Sequence, residues 1–150
     1  MIRAQAVVWL AYLLCHASGQ PWADDQSVFL DGNGLFQPHN EHLIVLSRAL
    51  GCMTHNITAL VVVGNCMLFA TIAVLARSGL DARLVALLFL NPMHHENMLW
   101  ATAAVQNYGV LLFGCAAICY DSLVLGVAAA LTSANGVAAL LIVLWRRVRA

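Results

Sequence analysis

The sequence predicts an all-α integral membrane protein, a polytopic helical bundle of about five to six short or full spans with an extracytoplasmic first loop. Three observations predict it. Apolar residues make up 62% of the 150-residue chain, charged residues 9%, and mean hydropathy is +0.82, whereas soluble domains are roughly 45–50% apolar and about a quarter charged. Apolar runs recur at lengths suited to a hydrocarbon core of about 30 Å and are separated by short polar breaks. The arginines gather in some of those breaks and not in others, which sets an orientation.

One bundle fills the chain, 1–150, and leaves no separate soluble domain. Net charge is zero, every basic residue is Arg, and no basic run interleaved with aromatics points to nucleic acid. Membrane lipid is the partner that composition implies, for a multi-pass membrane protein. Cys15, Cys52, Cys66, Cys115 and Cys119 form no CxxC pair and sit mostly in apolar runs, so they read as small hydrophobes rather than disulfides or zinc ligands.

The first apolar stretch, about 4–18, is either a span held at its start by Arg3 or a cleavable signal peptide, since small residues follow at Ala17–Gly19. The span is preferred because further spans follow, and both readings put the next segment, 19–50, outside the cytoplasm. Asp24, Asp25, Asp31 and Glu41, four of the seven acids, lie in that external loop. Asp31-Gly-Asn-Gly34 marks a turn. After Pro38, HNEHLIVLSRAL has helical spacing, with Leu43, Leu46 and Leu50 on one stripe and Glu41 and Arg48 on the opposite side. This predicts a helix lying along the interface, or the start of the next span.

The second span is about 56–76. The loop after it carries Arg77 and Arg83 and is cytoplasmic by the positive-inside rule, in agreement with Arg3. The next apolar run, about 84–91, gives roughly 10 Å of helix, too little to cross. The following NPMHHEN is therefore expected to lie sunk below the outer surface as part of a recessed polar pocket. Asn91-Pro92 suits a helix start, and a span of about 98–119 follows, with Glu96, Trp100, Ala103 and Asn107 on one face and Gln106 close by. Polar groups in a span face the bundle or a water-filled cavity. Residues 123–145 read either as one span or as a hairpin of about 123–133 and 136–145 turning at Ser133-Ala-Asn-Gly136. The hairpin is preferred, since it returns Arg146, Arg147 and Arg149 to the cytoplasm.

Several groups could carry chemistry. Asp24 or Asp25, beside the first span, could act as general base for an acceptor hydroxyl, or both could be solvated loop acids. His39, Glu41 and His42 with His94, His95 and Glu96 could hold a metal, but HNEH is not HExxH and polar lining of a substrate pocket is preferred. No metal is assigned, and no cofactor can be named. Arg48 could bind a phosphate in bidentate fashion or anchor the interface. Trp145 and the arginines after it read as a topology anchor. His16 and His55 receive no role, and the Asn56-Ile-Thr58 sequon carries no weight at a span edge.

The pieces DD-x-x-x-F-L, HNEHxIxLxR, NPxHxENxLWxxxxQN and SANGxxxxLIVLWRR, in that order, resemble uncharacterised bacterial multi-spanning proteins similar to membrane-embedded C-type (GT-C) glycosyltransferases, amino-terminal portion only. The resemblance covers nearly the whole chain at the level of spaced motifs. It implies a GT-C-like fold and transfer of a sugar from a polyprenyl-phosphate donor at the periplasmic face. It implies Asp25 as catalytic base with Asp24 as runner-up. Glu41, His42 and Arg48 would shape the phosphate or acceptor pocket, and Glu96, Asn97, Trp100 and Gln106 would line it from the facing helix. Two departures stand out: His95 replaces the usual Trp, and Leu43 the usual Arg after NEH. The alternative is a non-enzymatic multi-pass protein, an assembly partner or small transporter.

Overall fold

A computed structural model describes residues 2–17, 19–22, 24–31, 34–37, 39 and 44–149. It is 81% helical, with no strand among the described residues, as composition predicted. The helices are α1 (Ile2–His16), α2 (Val45–Met53), α3 (Ile57–Arg77), α4 (Ala82–Phe89) and α5 (His95–Leu99), followed by α6 (Ala101–Tyr120), α7 (Leu123–Thr132) and α8 (Val137–Arg149). Two of them, α3 and α6, are long and apolar enough to cross a membrane.

The starts of several helices are written locally. Asn56 caps α3 by accepting from the Ala59 amide at 3.0 Å, and Asp81 caps α4 by accepting from Arg83 N at 2.7 Å. Ser122 does the same for α7 through Leu125 N, and each cap satisfies an amide that the helix itself leaves open. Asn91 accepts from Met93 N at 3.0 Å and starts a short 3₁₀ turn, Pro92–His94, rather than a long helix.

The stretch from Asn91 to Tyr120 is not continuous. Trp100 is extended (φ −92°, ψ 118°) and separates α5 from α6, so the expected common face of Glu96, Trp100, Ala103 and Asn107 does not form. Within α6, residues Ala104–Tyr108 widen into a π turn, which rotates everything after it relative to everything before. The apolar periodicity of the sequence carries no sign of either event.

α3 and α6 form the centre and run parallel. A Cβ on Gly64 would lie 2.5 Å from the Ala104 methyl, and one on Gly109 would lie 3.5 Å from Met67 Sδ. Absence of a side chain at Gly64 lets the two backbones touch, as small residues do between membrane helices. α1 runs antiparallel to α3, with Trp9 opposite Asn65 and Gly19 opposite Thr58. α7 and α8 fold back on each other at Ser133, so that Gly126 faces Leu140 and Asp121 faces Arg147.

These directions sort the charges. Arg3, Arg77, Arg83, Arg146, Arg147 and Arg149 belong to the end of the bundle where α3, α6 and α8 terminate and α1 and α4 begin. Arg48 lies at the opposite end, with Asp24, Asp25 and Asp31. The second helix differs from expectation: α2 starts at Val45 and packs against the π turn Gln26–Leu30 and against α7. Arg48 is 3% exposed. The expected interfacial helix with Arg48 on its wet side is thereby corrected, because α2 is covered by the segment that precedes it. Leu43 and Glu41 of that pattern lie outside the described residues.

Candidate functional site

Asp25 is the most constrained polar group at the acidic end. It precedes the π turn Gln26–Leu30 and closes a tight loop in which its amide donates to Trp22 O at 2.7 Å and its Oδ2 accepts from Trp22 N at 3.0 Å. Its Oδ1 accepts from Thr102 N at 2.7 Å and from Thr102 Oγ1 at 2.6 Å. The carboxylate is 1% exposed. A buried acid is tolerable only when its oxygens are satisfied, and three donors do so here. Thr102 follows the break at Trp100, where the first amides of α6 have no partner within the helix. Asp25 therefore caps α6 from 77 residues away.

Asp24, one residue earlier, has the opposite environment. Its side chain is 40% exposed and its Oδ2 lies 3.2 Å from His39 Nε2, an imidazole 15% exposed. Ser27 Oγ donates to Asp24 O at 3.0 Å, and Arg48 Nη1 donates to Ser27 O at 2.8 Å. The same segment thus carries a locked carboxylate, an accessible carboxylate paired with a histidine, and a buried guanidinium. Arg48 Nε is buried without a hydrogen-bond partner, and among the described residues no acid forms an ion pair with it.

The remaining candidates scatter. Glu96 is exposed, as are His94 and His95. Asn97 is half-buried and accepts from Asn107 Nδ2 at 2.8 Å, a tie from α5 to α6 across the break. Trp100 is half-buried, with Nε1 buried and unpartnered, and Gln106 is half-buried in the π turn of α6. Glu41 and His42 lie outside the described residues. Among the described residues no three His, Cys, Asp or Glu side chains converge as a metal site.

Two residues escape sequence reasoning. Thr102 carries no signal, since a threonine in an apolar run is ordinary. Asn65 does carry one: it is a lone Asn in the middle of a span, where an amide has to find partners. Its Oδ1 accepts from Trp9 Nε1 at 2.8 Å, and its Nδ2 donates to Val61 O and to Met98 O, both at 2.8 Å. Asn65 thereby joins α1, α3 and α5 beneath the Asp25 clasp. Both π turns, Gln26–Leu30 and Ala104–Tyr108, flank that clasp, and such turns are frequent at functional sites.

Comparison of the chain with protein-family models, with curated proteins and with solved structures finds no match.

Proposed function

We propose that the chain is a membrane glycosyltransferase of GT-C-like architecture, or its amino-terminal part, embedded by five to six short or full spans in a bacterial inner membrane. Its acidic end faces the periplasm and acts on a polyprenyl-phosphate-linked sugar. The acceptor hydroxyl attacks the anomeric carbon, the bond from that carbon to the phosphate oxygen breaks, and the polyprenyl phosphate leaves. The hydroxyl proton passes to the base.

The observation that carries the reading is the contrast between the two neighbouring acids. Asp24 is accessible and lies 3.2 Å from an imidazole nitrogen, as suits a positioned base, while Asp25 is held by three donors beneath it. In this arrangement Asp24 is the base, oriented with His39, and Asp25 is a positioning residue that fixes the segment against α6. Arg48, buried behind Ser27, supplies positive charge on the side where a phosphate leaves.

The test is transfer of a labelled sugar from polyprenyl phosphate by membranes containing the chain. Asp24→Asn is expected to abolish transfer with membrane insertion intact, whereas Asp25→Asn lowers the yield of folded protein. Full transfer by Asp24→Asn removes Asp24 from its role.

A second reading, a non-enzymatic assembly partner or small transporter, is favoured by the saturation of Asp25, whose oxygens are all engaged within the fold. Purified chain without affinity for polyprenyl phosphates and without transfer supports it over the first.

A further inference from the structure

A groove of about 770 Å³ opens between α1 and α4. Val8, Trp9, Leu87, Leu90 and Met98 form its walls, and Asn91 and His95 lie where α4 gives way to the 3₁₀ turn. The outer faces of both walls are apolar and exposed: Val7 and Leu14 on α1, Leu84 and Leu88 on α4. α4 is only 8 residues long, about 12 Å of rise, so it ends well short of the far side of a hydrocarbon core of about 30 Å.

The two walls share a charged end. α1 and α4 both begin at the arginine end of the bundle, with Arg3 one residue into α1 and Arg83 one residue into α4, both exposed. Arg3 and Arg83 hence put two cations, neither with an ion-pair partner among the described residues, at the end of the bundle where both walls begin. Gln5 Oε1, two residues beyond Arg3 in the groove wall, is buried without a hydrogen-bond partner. Apolar walls, a pair of guanidinium groups at one end and an unpartnered acceptor just inside match one kind of molecule. It has a single hydrocarbon chain free to lie in the groove, a negative phosphate and a hydroxyl next to it.

We propose that the α1–α4 groove holds one acyl chain of an anionic, hydroxyl-bearing phospholipid from the arginine-side leaflet, its phosphate bound by Arg3 and Arg83 and a headgroup hydroxyl by Gln5. Basic residues at the membrane surface attract anionic lipid, and the groove adds burial of the chain against Trp9 and Met98. The walls of the site begin at the end of the bundle opposite the Asp24–Asp25 segment, and neither acid lines it. It rests on the membrane-embedded reading of the chain and is independent of the transfer reaction.

The experiment is photolabelling of the full chain in phosphatidylcholine vesicles containing a trace of a probe lipid with a diazirine on one acyl chain. The probe is phosphatidylglycerol in one arm and phosphatidylcholine in the other. The phosphatidylglycerol probe is expected to label peptides covering 4–12 and 87–98. Leu87→Trp fills the groove from an exposed position and is expected to abolish that labelling. Val124→Trp, on the exposed face of α7, leaves it unchanged. Arg3→Gln with Arg83→Gln lowers phosphatidylglycerol labelling to the phosphatidylcholine level, and Arg149→Gln does not. Labelling spread evenly over the apolar helix faces, or equal for both headgroups in the unaltered chain, overturns the proposal. Flotation of the chain with the vesicles separates the two readings. A chain that fails to float overturns membrane embedding and the groove together, and one that floats but labels evenly overturns the groove alone.

Discussion

At the scale of single residues, Thr102 and Asn65 determine how the acidic end is held. Replacing Thr102 by Val keeps its volume and removes the 2.6 Å hydroxyl bond to Asp25. Hydrogen bonds to charged groups contribute about 1.5–3 kcal/mol, so Thr102→Val is expected to lower stability by about 2 kcal/mol in a thermal melt of the purified protein. Thr102→Ser keeps the hydroxyl and is expected to lose much less, and equal melts for the two variants would remove the hydroxyl from this role. Asn65→Leu orphans Trp9 Nε1 and frees Met98 O at once. Buried polar contacts between membrane helices contribute about 0.6 kcal/mol on average and up to about 1.7. A loss of about 1–2 kcal/mol is expected, with a change in Trp9 environment in near-ultraviolet absorption. The acids themselves were legible in the sequence, since DD in a greasy chain stands out. Which of the two is exposed was not, because adjacent residues in a loop differ only through what packs over them.

At the scale of elements, helix starts were readable and helix continuity was not. Asn91 was read as a cap, and Asn56, Asp81 and Ser122, which were given no such role, act through bonds just as local, within three residues. The break at Trp100 exists because Asp25 caps α6 from another segment, and no local pattern records a partner so far away. α2 shows the same limit: its apolar stripe was visible, but the segment that buries Arg48 on its other side was not. The parallel contact of α3 with α6 depends on Gly64. Gly64→Leu would drive a side chain into the Ala104 backbone, and overpacking of this kind costs about 3 kcal/mol or more. The expected outcome is loss of the folded species on size-exclusion chromatography. Gly34→Leu is expected to be harmless by the same measurement, since nothing lies within 4 Å of a Cβ there.

At the scale of the whole molecule, the bundle has a cationic end and an acidic end. Six of the seven arginines belong to one end, and Arg147 meets Asp121 there, Nε to Oδ2 at 3.5 Å, with Nη2 donating to Asp121 O at 2.6 Å. Positive charge is retained on the cytoplasmic side of a membrane. A reporter fused after Arg149 is therefore expected to be active only in the cytoplasm, and one inserted between Gly34 and Leu35 only outside it. Both reporters active on the same side would refute the arrangement.

Composition by itself determined the all-α class, because a chain so poor in charge has to satisfy its backbone within helices. Local spacing determined most helix starts, and the positions of the arginines grouped them before any packing was known. Tertiary structure alone decided that Asp25 is a buried clasp while Asp24 stays open beside His39, that Arg48 points inward, and that α1 and α4 leave a groove between them. Each of these depends on contacts between residues distant in the chain, and burial and partnership are properties of such contacts rather than of any residue's own neighbours in sequence.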